Sequence, residues 1–495
     1  MIEALLGIDV GTTSTKAVLF NREGQELARA VSAAYRNQSP QPGWVEQDPE
    51  EVWAAVLSVL TQIGEQKGAQ TQIKAISMAV QSGSLIPADQ DGEPVYPLIT
   101  WLDGRSAGLV QAWRESGVEE WVKPISGWPL ITGLCLPNIA WLRDNNPAVF
   151  QRSRHYFSVN DFIAYRLTGK MISNPSNAGG MQLVDLHSGD WSQSLCELAG
   201  IRPEMLSQMT PSGAVIGALK PGVCQTTGIT PGSLLINGGH DQVCTALGLG
   251  INDPGKYLLA CGTAWVFTGI LNSPDLEGLP PVLSLNFHAY PQRWTLSQSL
   301  GGLGASQEWW LQNAWQGSGD ILSRRDTYAR LDDAMRSTHP NADLFFLPMT
   351  GGHADPATTQ RGGFIGLDFN HTRADMTRAI MESAGYELRW ALDTIRSTNQ
   401  PVEKLWMVGG ASQSSVWPAI LAEITGLPIE LPQYDNWPAL GAAVLAGVGS
   451  GVYSSVEEAL GFLQKPAKQV AVQAHNQNIY ARGFQNYKEI LQKIR

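Results

Sequence analysis

Two stretches of this chain carry one pattern. ALLGIDVGTTSTKAVLF (Ala4–Phe20) and GKYLLACGTAWVFTGIL (Gly255–Leu271) each read as an apolar strand, a small-residue turn and a second apolar strand. The turn is Gly-Thr-Thr in the first and Gly-Thr-Ala in the second. A chain that uses this grammar twice is expected to hold two related α/β halves, each begun by a strand meander. Its 495 residues are also too many for one compact core. GLGINDPG (Gly248–Gly255) offers a hinge. The boundary is therefore expected near residue 247, dividing the chain into 1–247 and 248–495.

The remaining elements fit that plan. Asp48 precedes a proline and two acids, and apolar residues then recur at helical spacing, so a capped helix is expected from Pro49. Ile73–Val80 reads as a buried strand, and ELARAVSAAY as a third meander strand or an exposed extension. In the second half, Asp375–Arg396 reads as a long helix, Leu405–Gly426 as strand, turn and helix, and Trp437–Gly449 as a helix of small apolar residues.

Charge narrows the function. The net charge of -11 argues against nucleic acid and against anionic membrane as partners. Any polyanionic ligand must then be held locally, by backbone amides, a metal or a few cations. The five cysteines form no CxxC pair and are expected as buried thiols in a reducing compartment. The start, MIEALLGIDVGTT, has no basic segment and carries Glu3 and Asp9, so a cytoplasmic chain without a signal peptide is expected.

Five stations could carry chemistry. The spacing of DVGTTSTK (Asp9–Lys16) is not that of a Walker A loop. A Gly-Thr turn can still present successive N–H groups to phosphate oxygens. Thr12 and Thr13 add hydroxyls, Lys16 adds a cation, and Asp9 can hold hydrated magnesium. A plain hairpin turn is the alternative. CGTAW (Cys261–Trp265) offers the same turn again, and two such turns could grip one polyphosphate. In MVGGASQSSVW (Met407–Trp417), glycines allow close approach to a flat base, and Ser412 or Gln413 can bond its edge; a tight strand-to-helix turn is the alternative. PLITWLDGRS (Pro97–Ser106) sets Trp101 beside Asp103 and Arg105. That grouping suits a polyol, with a ring on its C–H face and charges on its hydroxyls. It suits equally a salt bridge beside a core tryptophan. Asp241, in NGGHDQVCTALGLG (Asn237–Gly250), stands alone at the start of an apolar helix. It is either a helix cap or a general base.

In this order, these stations resemble the FGGY carbohydrate kinases across essentially the whole chain. GGFIGLDFNHTRADMTRAIME (Gly362–Glu382) is similar to that family's C-terminal signature, and Asn160–Lys170 and Trp437–Gly447 to other family segments. The resemblance implies two actin-like, ribonuclease-H-like α/β domains with a catalytic cleft between them. It implies Asp241 as catalytic base, and Asp9 with Asp241 at magnesium. Thr12, Thr13, Lys16, Gly262, Thr263, Gly304, Gly409, Gly410, Ala411, Ser412 and Gln413 are implied at the nucleotide. Gln81, Ser82, Gly83, Trp101, Asp103, Arg105, Asp241 and Gln242 are implied at the substrate.

The sequence also departs from the family pattern. Ser82 and Gly83 stand where glycerol kinases carry Arg-Glu and xylulokinases Met-His, so the sequence names neither substrate. Asn138 stands where lysine is usual, and Leu347–Pro356 lacks the usual Gly-Glu-Arg loop. The expectation is an ATP- and magnesium-dependent kinase acting on a small sugar or polyol, a ketose such as a pentulose. A homodimer agrees with the family habit. The rival readings are an actin-like nucleotide switch with slow ATPase activity and a sugar-binding regulator without catalysis.

Overall fold

The computed structural model describes residues 2–262, 264–275, 280–315, 324–348 and 362–494. Two mixed sheets organise it. The first comprises β1 (Ile2–Val10), β2 (Thr15–Asn21), β3 (Glu26–Val31), β4 (Thr71–Val80), β5 (Val215–Ala218) and β6 (Leu234–His240), in the order β5-β6-β4-β1-β2-β3. The second comprises β7 (Gly255–Cys261), β8 (Trp265–Leu271), β9 (Ser284–Phe287), β10 (Trp294–Gly301), β11 (Val402–Gly409), β12 (Ile429–Pro432) and β13 (Ala467–Val470), in the order β9-β10-β8-β7-β11-β12-β13.

The repeated pattern in the sequence is a repeated topology. β1 pairs antiparallel with β2 and parallel with β4, and β4 pairs parallel with β6. β7 likewise pairs antiparallel with β8 and parallel with β11, and β11 parallel with β12. The α/β class with two sheet-centred lobes is thus as expected. The ends of β1, β4 and β6 lie side by side, since Val10 pairs with Val80 and Val80 with His240. In the second sheet, Cys261 pairs with both Trp265 and Gly409.

Local signals set the helices. Asp48 accepts from the Glu50 N–H at 2.9 Å and caps α1 (Pro49–Gln66), whose Val52, Val56, Val59 and Ile63 pack on the first sheet. Six further helices bear on the site: α2 (Asp241–Gly248), α3 (Leu303–Trp310), α4 (Arg324–Arg336), α5 (Arg373–Arg396), α6 (Trp417–Thr425) and α7 (Trp437–Gly449). Thr372 and Asp375 form a reciprocal cap on α5. All five cysteines are buried and free. Among the described residues no helix is long and apolar enough to cross a membrane.

One packing relation crosses the two halves of the chain. α7, late in the sequence, lies on β1, β2, β4 and β6 of the first sheet and against α2. Leu5, Val18 and Ile236 of the first sheet share a core with Leu258 and Ile270 of the second, and Val243, Leu247, Leu440 and Val444 fill it. Two glycines permit the approach. A Cβ on Gly7 would lie 1.8 Å from the Ala439 carbonyl oxygen, and one on Gly441 would lie 1.8 Å from that of Cys244. Backbone meets backbone at both points, so no side chain fits.

Candidate active site

The first turn is built to expose amides. Gly11 donates its N–H to Ser14 O at 3.2 Å, and Tyr35 N–H donates to Thr13 O at 3.0 Å. Gln47 Nε2 donates to Thr12 O at 2.7 Å, and the Tyr35 hydroxyl to Gly11 O. Gln81 N–H donates to Val10 O at 2.9 Å. The carbonyls of five successive residues, Val10 to Ser14, are therefore engaged from inside the lobe. The N–H groups of Thr12, Thr13 and Ser14 have no acceptor among the described residues. Thr13 is exposed and its two neighbours half-buried. A turn with bonded carbonyls and open N–H groups is a concave donor surface for an anion.

Two carboxylates flank this surface. Asp9 pairs across the hairpin with Lys16 and along the sheet with Ala79. Its pKa is pushed up to about 7, first by burial and then by the charge of Asp241, with Lys16 opposing. Asp241 is the first residue of α2. Its Oδ1 accepts from the Gln242 N–H at 2.6 Å and lies 3.0 Å from His240 Nε2. No hydrogen bond engages Oδ2 among the described residues. His240, not Asp241, holds the cap position of this helix and no side chain caps it; one Asp241 oxygen meets the next N–H and the other is open. Ser176 Oγ accepts the His240 N–H at 3.0 Å, and Asn177 Nδ2 donates to Val80 O at 3.1 Å, steadying the neighbouring strand ends.

The residues expected at the sugar divide into two groups. Trp101 is 37% exposed and donates Nε1–H to Thr12 Oγ1 at 3.2 Å, so its ring lies beside the turn. Gln242 and His240 line an interlobe cavity of about 340 Å³, faced by Trp128 and Ile131 from the first lobe and Val266 from β8. The others are occupied. Asp103 accepts from the Val45 N–H at 2.6 Å, from the Arg105 N–H and from the Arg105 guanidinium. Arg105 also bonds Glu46 at 2.7 Å and lies 4.0 Å above the Trp44 ring. Both side chains are buried. The expectation that their charges bond a polyol's hydroxyls is corrected: they are spent inside the lobe, on the segment that carries Trp44 to Glu46. Gln81 is a strut, its Nε2 reaching Gly11 O at 3.4 Å and its Oε1 accepting from Ser84. Ser82 donates to Asn177 O at 2.9 Å. Gly83 has φ +86°, and a Cβ there would lie 2.6 Å from the Leu134 side chain.

In the second lobe, Gly262, Gly304, Gly410 and Ala411 line one cavity of about 460 Å³, with Trp265 and the exposed side of α3. Gly409, at φ +99°, lets β11 end directly against β7: a Cβ would lie 2.5 Å from Cys261 O. Ser412 and Gln413 do not line this cavity. They line a second crevice of about 990 Å³, with Thr245 and Tyr434, which Gly410 lines as well. Thr263 and the Met349–Pro356 part of the Leu347–Pro356 stretch lie outside the described residues. Sequence reading missed Tyr35, Gln47 and Asn177, which hold the turn and strand ends from positions far along the chain.

Residues 4–248 match the N-terminal domain, and residues 258–450 the C-terminal domain, of the FGGY family of carbohydrate kinases. The L-xylulose/3-keto-L-gulonate kinase of Escherichia coli is 29% identical over 99% of this chain and 97% of its own. The xylulose kinase of Staphylococcus xylosus is 28% identical over 92% of each. A solved gluconate kinase from Lactobacillus acidophilus superposes with a TM-score of 0.91 at 24% identity, covering 100% of this chain and 98% of its own.

Proposed function

The chain belongs to the FGGY family of carbohydrate kinases, and from that premise we propose that it transfers the γ-phosphoryl group of ATP to a hydroxyl of a small sugar or polyol, a ketose such as a pentulose. The observation that carries this reading is the first turn. Its five bonded carbonyls and three open amides lie beside Asp241, whose second oxygen is unengaged.

Each part of the site has a task in this reading. The amides of Thr12 to Ser14 and the Lys16 ammonium take phosphate oxygens. The cavity at Gly304, Gly410 and Ala411 takes the adenosine. Trp101 packs on the sugar, whose hydroxyl donates its proton to Asp241 Oδ2 as its oxygen bonds to the γ-phosphorus and the bond to ADP breaks. His240 and the Gln242 N–H hold Oδ1, so Asp241 meets the hydroxyl in one orientation. Asp9 and Asp241 also fit magnesium, which uses one or two carboxylates together with water and phosphate oxygens. Their mutual repulsion, visible in the raised pKa of Asp9, is what a cation there would relieve. When bound, the ion supplies neutralisation of phosphate charge.

The relatives act by name on xylulose, on L-xylulose or 3-keto-L-gulonate, and on gluconate, so the acceptor must be found by trial. The test is ADP release with magnesium-ATP against pentuloses, hexuloses, heptuloses, polyols and sugar acids. At least one ketose is expected to raise turnover far above the rate with water alone. A rate indifferent to every acceptor would refute the kinase reading and favour the nucleotide switch. Stimulation by sugar acids alone would refute the ketose assignment.

A further inference from the structure

Gly410 and Ala411 line the 460 Å³ cavity, and the segment Gly409–Ser415 that carries them has few internal bonds. Ser412 Oγ donates to Gly409 O at 2.7 Å, and Ser414 N–H to Ala411 O at 3.3 Å. Its end is fixed from outside. Asp332, on α4, accepts from Ser414 Oγ at 2.6 Å through Oδ1 and from the Ser415 N–H at 2.5 Å through Oδ2. Ser414 Oγ in turn accepts from the Trp417 N–H at 3.0 Å, so one hydroxyl joins Asp332 to the start of α6. Arg336, one turn further along α4, donates to Ser415 Oγ at 2.9 Å.

Asp332 is only 6% exposed and lines none of the three cavities described above. A buried carboxylate costs free energy unless donors meet it. Among the described residues its donors come from a single short stretch, 82 and 83 residues away. α4 is itself anchored, with Leu331 and Met335 buried. The carboxylate thus ties a rigid helix to the loop that places Gly410 and Ala411.

We propose that Asp332 is a positioning residue for the nucleotide, fixing Gly409–Ser415 from behind without touching the ligand. The inference rests on the reading that the 460 Å³ cavity takes adenosine. Steady-state kinetics of Asp332→Ala and Asp332→Asn, run with the accepting sugar and varied ATP, test it. Asp332→Ala should raise KM for ATP roughly ten- to a hundredfold, the size of a lost charge-assisted hydrogen bond. Its kcat at saturating ATP and its KM for sugar should stay within about threefold of wild type. Asp332→Asn should fall between, since its amide oxygen still accepts one bond. An unchanged KM for ATP overturns the proposal, and so does an equal loss in all three parameters. Ala305→Trp separates the two readings, because it fills the cavity directly. If that variant binds ATP normally, the cavity assignment fails whatever Asp332 does.

Discussion

The turns after β1 and β7 occupy the same place in two copies of one topology, and they are furnished differently. The first is edged by Asp9 and Lys16 and braced by Tyr35, Gln47 and Gln81. The second lies between a buried cysteine, Cys261, and Trp265, whose ring packs 4.9 Å from that of Trp417. α2 and α7 repeat the contrast: one begins with Asp241, the other with Trp437 and Pro438. The two lobes share one topology, and the acids at the strand-end turn and at the following helix start belong to the first. In the proposed reaction the first lobe handles charge and protons, while the second supplies shape.

The comparison is broken most directly at Asp241. Asp241→Asn should keep ATP affinity near wild type while kcat falls by roughly 10²–10⁴, the range for a general base. Binding by calorimetry and turnover by ADP release check it. A kcat within tenfold of wild type would move the base elsewhere. Lys16→Ala should cost about 1.5–3 kcal/mol of ATP binding, the worth of a charged hydrogen bond, read as a higher KM for ATP. A normal KM would deny the first turn its part in charge handling.

Asp9 sharpens the contrast through pH. Its carboxyl titrates at about 7 when folded, against about 3.9 for an unperturbed aspartate. An acid whose pKa is raised by folding is neutral and harmless at low pH. It destabilises the nucleotide-free fold progressively as pH rises through that interval. Asp9→Asn should therefore gain stability over wild type between pH 4 and 7, measured by urea midpoints without magnesium or ATP. Parallel curves for the two proteins would reject the linkage. The smallest effect belongs to the second turn. Burial lifts the Cys261 thiol far above its ordinary range, so it carries no charge. Cys261→Ser should shift KM for ATP by less than about threefold, and a larger rise would show chemistry where only shape is expected.

Much of this was legible in the sequence, for local reasons. Strand alternation and glycine turns marked both hairpins, Asp48 and Pro49 marked α1, and an isolated acid before an apolar run marked Asp241. Destinations of side chains were not legible. Asp103 and Arg105 read equally well as a polyol site or a salt bridge until Glu46, 59 residues from Arg105, closed the pair. The resemblance implied Gln81 at the substrate, and no local pattern showed that its amide also reaches the neighbouring strand's turn. Ser412 and Gln413 continue a glycine motif in sequence, but the single helical turn Gly410–Gln413 presents its residues to two crevices. Asp332 gives no signal at all, since its partners lie on another element.

The seating of α7 on β1 has a consequence for how the molecule is made. A ribosome delivers Leu5 and Gly7 long before the helix that covers them, Trp437–Gly449, which lies hundreds of residues further along the chain. Until then one face of the first sheet stays uncovered, a hazard for aggregation and a natural place for a chaperone to bind. Chains arrested before residue 437 should therefore precipitate, however complete the first 250 residues are.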